Sequence, residues 1–189
     1  AMYRAVSLYL LREGVDHTDT VAVEEVLGDI HLWFTYNPKT ERSDVLLNEE
    51  NVEREIRTPE VQDIVSPVST IVAVRKKLVA AQQVLAAEWG IVLDGRDIGT
   101  VVAPDAELKI FLTADEEERA QRRLLQMKAR WIEVDLQDQI ASNKDRDTRD
   151  YFGPGATSKI SPDAKLLDTT HSTIEEELDI IAGRVQQLV

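Results

Sequence analysis

Ile91-Val92-Leu93-Asp94-Gly95-Arg96-Asp97-Ile98-Gly99-Thr100-Val101-Val102 is the stretch that decides how the rest of the 189-residue chain is read. Ile91, Val92 and Leu93 are too few for a helix and stand between Gly90 and Gly95, so they predict a short buried strand of a parallel sheet. Asp94, Arg96 and Asp97 follow at once, so charge is concentrated where that strand stops. In open α/β sheets ligands bind beyond the carboxyl ends of the strands. A planar cation between two carboxylates suits an anionic ligand that also carries donor groups. A plain strand-end turn with a structural ion pair fits the same residues, and both readings stand at this point.

Composition narrows the function classes. At 43% hydrophobic and 30% charged residues the chain has the make-up of a globular protein with one well-buried core. No run of 18 apolar residues and no signal-type segment occurs, so neither a membrane span nor secretion is expected. The absence of cysteine rules out disulfides and thiolate metal sites and is compatible with a reducing, cytoplasmic setting. His17, His31 and His171 lack ligand spacing, so no protein metal site is expected. A net charge of −13 argues against nucleic-acid binding, which needs a basic face. Against that background the arginines carry the information, Arg4, Arg75, Arg96, Arg122, Arg123 and Arg146 among them.

Along the chain, residues 1–13 predict a helix with Met2, Val6 and Leu10 on one face and Gly14 as its stop. A short helix is expected from Thr20 to Leu27, then a hairpin of Ile30–Tyr36 with Asp44–Leu47, then a polar stretch to Arg57. Thr58 and Pro59 mark a helix entry, followed by Val61, Ile64, Val65 and Val68 at helical spacing and a break or kink at Pro67. The next helix, Val72–Glu88, has Val74, Leu78, Ala81 and Leu85 as its buried face. Leu108–Leu112 predicts a strand, and Thr113 with Glu116 a capping box opening a helix to about Lys128. That helix carries a basic stripe of Arg119, Arg122 and Arg123, with Arg119 expected to pair with the acidic first turn. Ile132–Ala141 is weakly helical. The alternating charges of 143–150 suit a solvated face and Gly153-Pro154-Gly155 a flexible segment, and such a mobile, charged segment can also be a lid that brings arginines to a phosphoryl group. A last strand at Leu166–Thr170 precedes a helix capped by Ser172 and Glu175, its core face Ile174, Leu178, Ile181, Val185 and Leu188. The alternation of strands and helices is that of a doubly wound parallel α/β domain.

Asp94-Gly95-Arg96-Asp97-Ile98-Gly99-Thr100-Val101-Val102, Pro104-Asp105-Ala106 and Lys109-Ile110-Phe111-Leu112-Thr113-Ala114 together resemble the central motif of the bacterial cytidylate (CMP) kinases. Ala1-Met2-Tyr3-Arg4-Ala5, Glu55–Val61, Ser66–Arg75 and Arg146-Asp147 with Asp150 resemble further segments of that family. The resemblance implies a P-loop-type nucleoside monophosphate kinase with three parts. Residues 1–28, 66–141 and 160–189 would form the core, 29–65 an NMP-binding insertion and 142–159 the lid. It also implies thirty-odd residues before Ala1 that carry the first strand and the phosphate-binding loop, so the sequence is expected to be incomplete. A search for G-x-x-x-x-G-K-[ST] finds only Gly90–Gly95 followed by Arg96-Asp97, which lacks the Lys-Ser/Thr pair.

The implied activity is transfer of the γ-phosphoryl group of ATP to CMP or dCMP, with ATP and Mg²⁺ required, no protein metal ligand among these residues, and a cytoplasmic monomer. By the resemblance, Arg4 and Arg96 hold the acceptor's phosphate, Ser66, Arg75 and Asp97 read the cytosine edge, and Asp150 binds the sugar. Arg146 and Arg96 are the catalytic arginines, and Arg122 lies near ATP. Gly153 stands where many family members have a further lid arginine. Two alternatives remain open: a CMP-binding module without catalysis, and a kinase of the same fold with another small-molecule acceptor.

Overall fold

The computed structural model describes all residues except 89, 130–133, 154–157 and 189. It divides into two compact units, Ala1–Glu88 and Trp89–Val189.

The first unit is built on α1 (Met2–Arg12), whose residues Met2, Ala5, Val6, Leu8 and Leu10 are all buried. Gly14 ends it with φ +65°, a conformation glycine takes without a Cβ penalty. In α2 (Thr20–Val26) the Asp19 carboxylate accepts the N–H groups of Val21 and Ala22 at 3.1 Å, satisfying two of the first-turn donors. The expected hairpin forms from β1 (Leu32–Asn37) and β2 (Arg42–Leu47), antiparallel from Leu32 opposite Leu47 to Asn37 opposite Arg42. The stretch read as polar connection adds a third strand, β3 (Glu50–Asn51), and two fully buried residues, Val52 and Ile56. Lone apolar residues among charges carry no period, which is why that burial was not legible.

Two helices complete this unit: α3 (Pro59–Val68) and α4 (Val72–Ala86), both packed on α1. Pro59 takes the first helical position as expected, but the Thr58 side chain makes no capping bond. Pro67 does not cut α3 short of itself: the helix runs one residue past it and ends at Val68, where a residue without an N–H costs few further bonds. On α4 only Val74 and Leu78 are buried, whereas Ala81 is exposed and Leu85 half-buried.

The second unit holds β4 (Ile110–Thr113) and β5 (Lys165–Asp168), parallel and in register from Ile110 opposite Lys165 to Thr113 opposite Asp168. Between them run α5 (Glu116–Lys128) and α6 (Leu136–Phe152), packed on each other, and α7 (Ile174–Gln186) follows β5. The predicted strand at Ile91–Leu93 does not form: the segment is irregular, and Val92 is 94% exposed. A strand owns no internal hydrogen bonds and exists only by pairing, and no described strand pairs with this one. Ile98–Val102 instead winds into a single π-helical turn.

Three other expectations shift. The Thr113 side chain does not cap α5; Thr113 ends β4, and the Asp115 N–H is satisfied by Thr170 Oγ1 at 3.0 Å. The capping box of α7 is Thr173 with Glu176, one residue later than read. The apolar stripe of α7 is not a core face among the described residues: Ile174, Leu178, Val185 and Leu188 are exposed and Ile181 is half-buried. Among the described residues the sheet of this unit consists of β4 and β5, which leave the stripe uncovered.

The lid region also differs from a charged loop. Residues 142–152 belong to α6, which starts with Asp135 accepting from the Gln137 N–H at 2.7 Å. The alternating charges support the helix through i, i+4 pairs, Arg149 with Asp145 at 3.1 Å and Arg146 with Asp150 at 3.7 Å. The start of the weakly helical segment and the Pro154-Gly155 part of the lid motif lie outside the described residues.

Candidate active site

In the second unit three predicted side chains meet. Arg96 follows the irregular 91–95 segment, while Arg146 and Asp150 stand one helical turn apart on α6. Arg96 Nη1 lies 3.4 Å and Arg146 Nε 3.7 Å from the same oxygen, Asp150 Oδ2. That oxygen is buried and makes no hydrogen bond within standard geometry, so the carboxylate binds both cations through charge. Two guanidinium groups on one carboxylate leave an excess positive charge. Burial, and then the nearby Arg96 charge, hold the Arg146 guanidinium below its ordinary pKa. An anion arriving here would relieve that repulsion.

Asp97 is buried at the base of the π-turn. Its carbonyl accepts the Val101 N–H at 2.9 Å and the Val102 N–H at 3.3 Å, so the residue after Arg96 is fixed by the turn's own backbone. Arg122, on α5, is held by structure: Nε donates to Glu118 at 2.9 Å, Nη1 to Thr169 Oγ1 at 3.2 Å and Nη2 to the Thr169 carbonyl, with Glu177 at 3.9 Å. Arg119 departs from expectation. It reaches Asp147 of α6 at 2.6 Å instead of the acidic first turn of its own helix, because Asp147 faces α5 across the helix pair.

The remaining candidates belong to the first unit. Arg4, the third residue of α1, donates to the Ile56 carbonyl at 3.2 Å and to Gln62 Oε1. Ser66 and Arg75 sit half-buried on α3 and α4, the two helices that pack on α1. A pocket of about 170 Å³ in this unit, between Met2, Trp33, Leu78 and Ala81, contains none of these side chains, so it is not the candidate site.

Sequence reasoning missed Lys109 and Asp163, which pair at 2.8 Å across 54 residues, and Thr169, which anchors Arg122. Lys109 lay within a quoted motif, but nothing in its spacing pointed to a partner so distant in sequence.

A sequence model of the family described as cytidylate kinase matches residues 1–187. A protein of Bacteroides fragilis named cytidylate kinase is 45% identical over 192 residues, covering 100% of this chain and 84% of that protein. One of Cytophaga hutchinsonii with the same name is 45% identical over 181 residues, covering 96% of this chain and 77% of the relative. One of Caldicellulosiruptor saccharolyticus, also so named, is 43% identical over 178 residues, covering 94% and 78%.

Proposed function

Since the chain belongs to the cytidylate kinase family, P-loop nucleoside monophosphate kinases of α/β fold, we propose that it transfers the γ-phosphoryl group of ATP to CMP or dCMP, giving CDP or dCDP. The observation within the structure that supports this most is the Arg96–Asp150–Arg146 cluster, whose excess charge fits a phosphate. Phosphoryl transfer asks little covalent help from a protein. It requires two anions held in line, their repulsion cancelled and water excluded.

The roles are those the family resemblance implies, taken residue by residue. Arg96 binds the acceptor's phosphate and Arg146 neutralises the charge that develops on the transferring group, each exchanging part of its attraction to Asp150 for phosphate oxygens. Asp150, released from that pairing, accepts from the sugar hydroxyls. Arg4 is a second cation for the acceptor's phosphate. Ser66, Arg75 and Asp97 read the cytosine edge: a carboxylate accepts from the amino group while arginine donates to the ring carbonyl, and uracil puts an acceptor oxygen where the amino group stands, which a carboxylate cannot pair. Arg122 serves the ATP side, held in place by Thr169 and Glu118.

Mg²⁺ bound to the phosphates of ATP supplies further charge neutralisation. Among the described residues no group of three or more His, Asp or Glu side chains could hold a metal ion. Residues 29–65 act as the nucleotide-monophosphate insertion and 142–159 as the lid, around a core of 1–28, 66–141 and 160–189. The working molecule is a cytoplasmic monomer with small-molecule partners only, neither nucleic acid nor membrane.

The test is ADP release with ATP, Mg²⁺ and a panel of CMP, dCMP, UMP and AMP. Turnover with CMP or dCMP well above the others is the expected result. CMP binding without turnover would instead mark a binding module, and turnover with another acceptor would mark a different kinase.

A further inference from the structure

Lys109 stands just before β4 with its side chain only 8% exposed, an unusual depth for a lysine, whose ammonium normally stays in water. It is buried because it has partners. Nζ donates to the Pro104 carbonyl and to Asp163 Oδ2, the latter at 2.8 Å. The aliphatic stem lies along Gly99: a Cβ added there would come within 3.3 Å of Lys109 Cδ. The Lys109 backbone joins in, its carbonyl accepting the Lys165 N–H at 2.8 Å beside the Asp163 end of the tie. One residue therefore fastens the turn of 98–104, the start of β4 and the segment entering β5.

We propose that Lys109 is a positioning residue for the acceptor nucleotide, holding the π-turn so that Arg96 and Asp97, at its base, keep the geometry that binds CMP. This rests on the reading of Arg96 and Asp97 as acceptor contacts. The mechanical link is short. Gly99, against which the stem packs, is two residues from Asp97, and the Asp97 carbonyl closes the turn through Val101 and Val102. If the ammonium is lost, Pro104 and Asp163 lose their common donor and the turn is free to shift relative to β4. Asp163 is kept ionised by Lys109 first and by Ser161 second, with its carboxyl held down to about 2, so the carboxylate end of the tie keeps its charge near neutral pH.

The experiment compares the full chain with Lys109→Met, which keeps the stem and removes the charge, Lys109→Arg, which restores a cation, and Arg96→Ala. CMP affinity is measured by calorimetry and amide hydrogen exchange over residues 97–103. For Lys109→Met the expected result is an affinity loss of about five- to tenfold, short of the roughly hundredfold that a 1 Å misplacement can cost. Exchange over 97–103 should accelerate, and the arginine variant should recover most of both. A purely structural lysine would lower the melting temperature and leave CMP affinity per folded molecule unchanged. CMP affinity within twofold of the parent in Lys109→Met, while Arg96→Ala weakens binding, overturns the proposal. If Arg96→Ala itself leaves CMP binding untouched, the acceptor reading fails, and exchange alone judges Lys109: unchanged protection at 97–103 overturns its positioning role. Should Lys109→Met not fold, Asp163→Ala cuts the same tie from its exposed end and is read by the same two measurements.

Discussion

The two units hold themselves together by different means. Among the described residues, the first has a contiguous cluster of seventeen buried apolar side chains, from Met2 on α1 to Leu78 on α4. Of the second unit's described apolar residues, Val102, Ala120 and Leu167 are buried. Charged contacts dominate there instead: Arg96 and Arg146 with Asp150, Lys109 with Asp163, Arg119 with Asp147, and Arg122 with Glu118 and Glu177. The difference separates two tasks. Apolar burial supplies stability without direction, whereas charges of fixed geometry supply recognition and cost stability wherever they are imperfectly paired. The unit with the thin apolar core is the one that holds the charge-excess cluster.

The largest expected effect tests the first half of that contrast. Leu10→Ala in the core of the first unit should lower unfolding stability by about 3 kcal/mol, whereas Leu178→Ala on the exposed stripe of α7 should cost below about 0.5 kcal/mol. Equal losses in denaturant titration would mean that α7 buries its stripe and the contrast fails. Arg146→Ala tests the second half: kcat should fall about a hundredfold with the melting temperature nearly unchanged, in the range seen when one transition-state charge partner is removed. A drop in stability of the same size as in Leu10→Ala would make Arg146 a structural residue. Arg75→Ala should weaken CMP binding about tenfold, a 1.4 kcal/mol change, and narrow the preference for CMP over UMP. Affinity left intact would remove it from base reading.

Smaller still is Arg12→Ala. Its pairs with Glu50 at 2.7 Å and Glu55 at 2.6 Å are largely in solvent, so the loss should stay below about 1 kcal/mol and shrink in salt. Acid acts on both units. Asp44 is lowered by the Asn51 and Asn37 amides, Asp163 by Lys109 and Ser161, and Asp168 by Thr170. A carboxyl depressed in the folded state stabilises it above the unfolded pKa, near 4, and loses that contribution as pH falls toward the folded value. Melting temperature should therefore be insensitive to these groups between pH 6 and 8 and decline below about pH 4. Asp163→Asn should flatten part of that decline.

Much of this organisation is legible in the residues. The period of Met2, Val6 and Leu10 places α1, Pro59 starts α3, and the strand signals of the hairpin locate β1 and β2 within two residues. Local pattern fails where the deciding force is not local. Ile91–Leu93 has the composition of a strand, yet a strand depends on partners that its own residues cannot specify. The charges of 143–150 fit a solvated loop and a helix laced by i, i+4 pairs equally well, and the helix forms. Of the site, Arg96, Arg146 and Asp150 come from the family resemblance, but that both arginines share one carboxylate oxygen is a tertiary fact. Lys109 with Asp163, and Arg119 with Asp147, were hidden for the same reason.

The most direct single measurement is the CMP affinity of Arg96→Ala against the parent by calorimetry. If the excess charge beside Asp150 is there to receive the acceptor's phosphate, removing Arg96 should weaken CMP by at least about tenfold and leave the nucleoside cytidine, which has no phosphate, bound as before. CMP affinity unchanged within twofold, or an equal loss for CMP and cytidine, would contradict it.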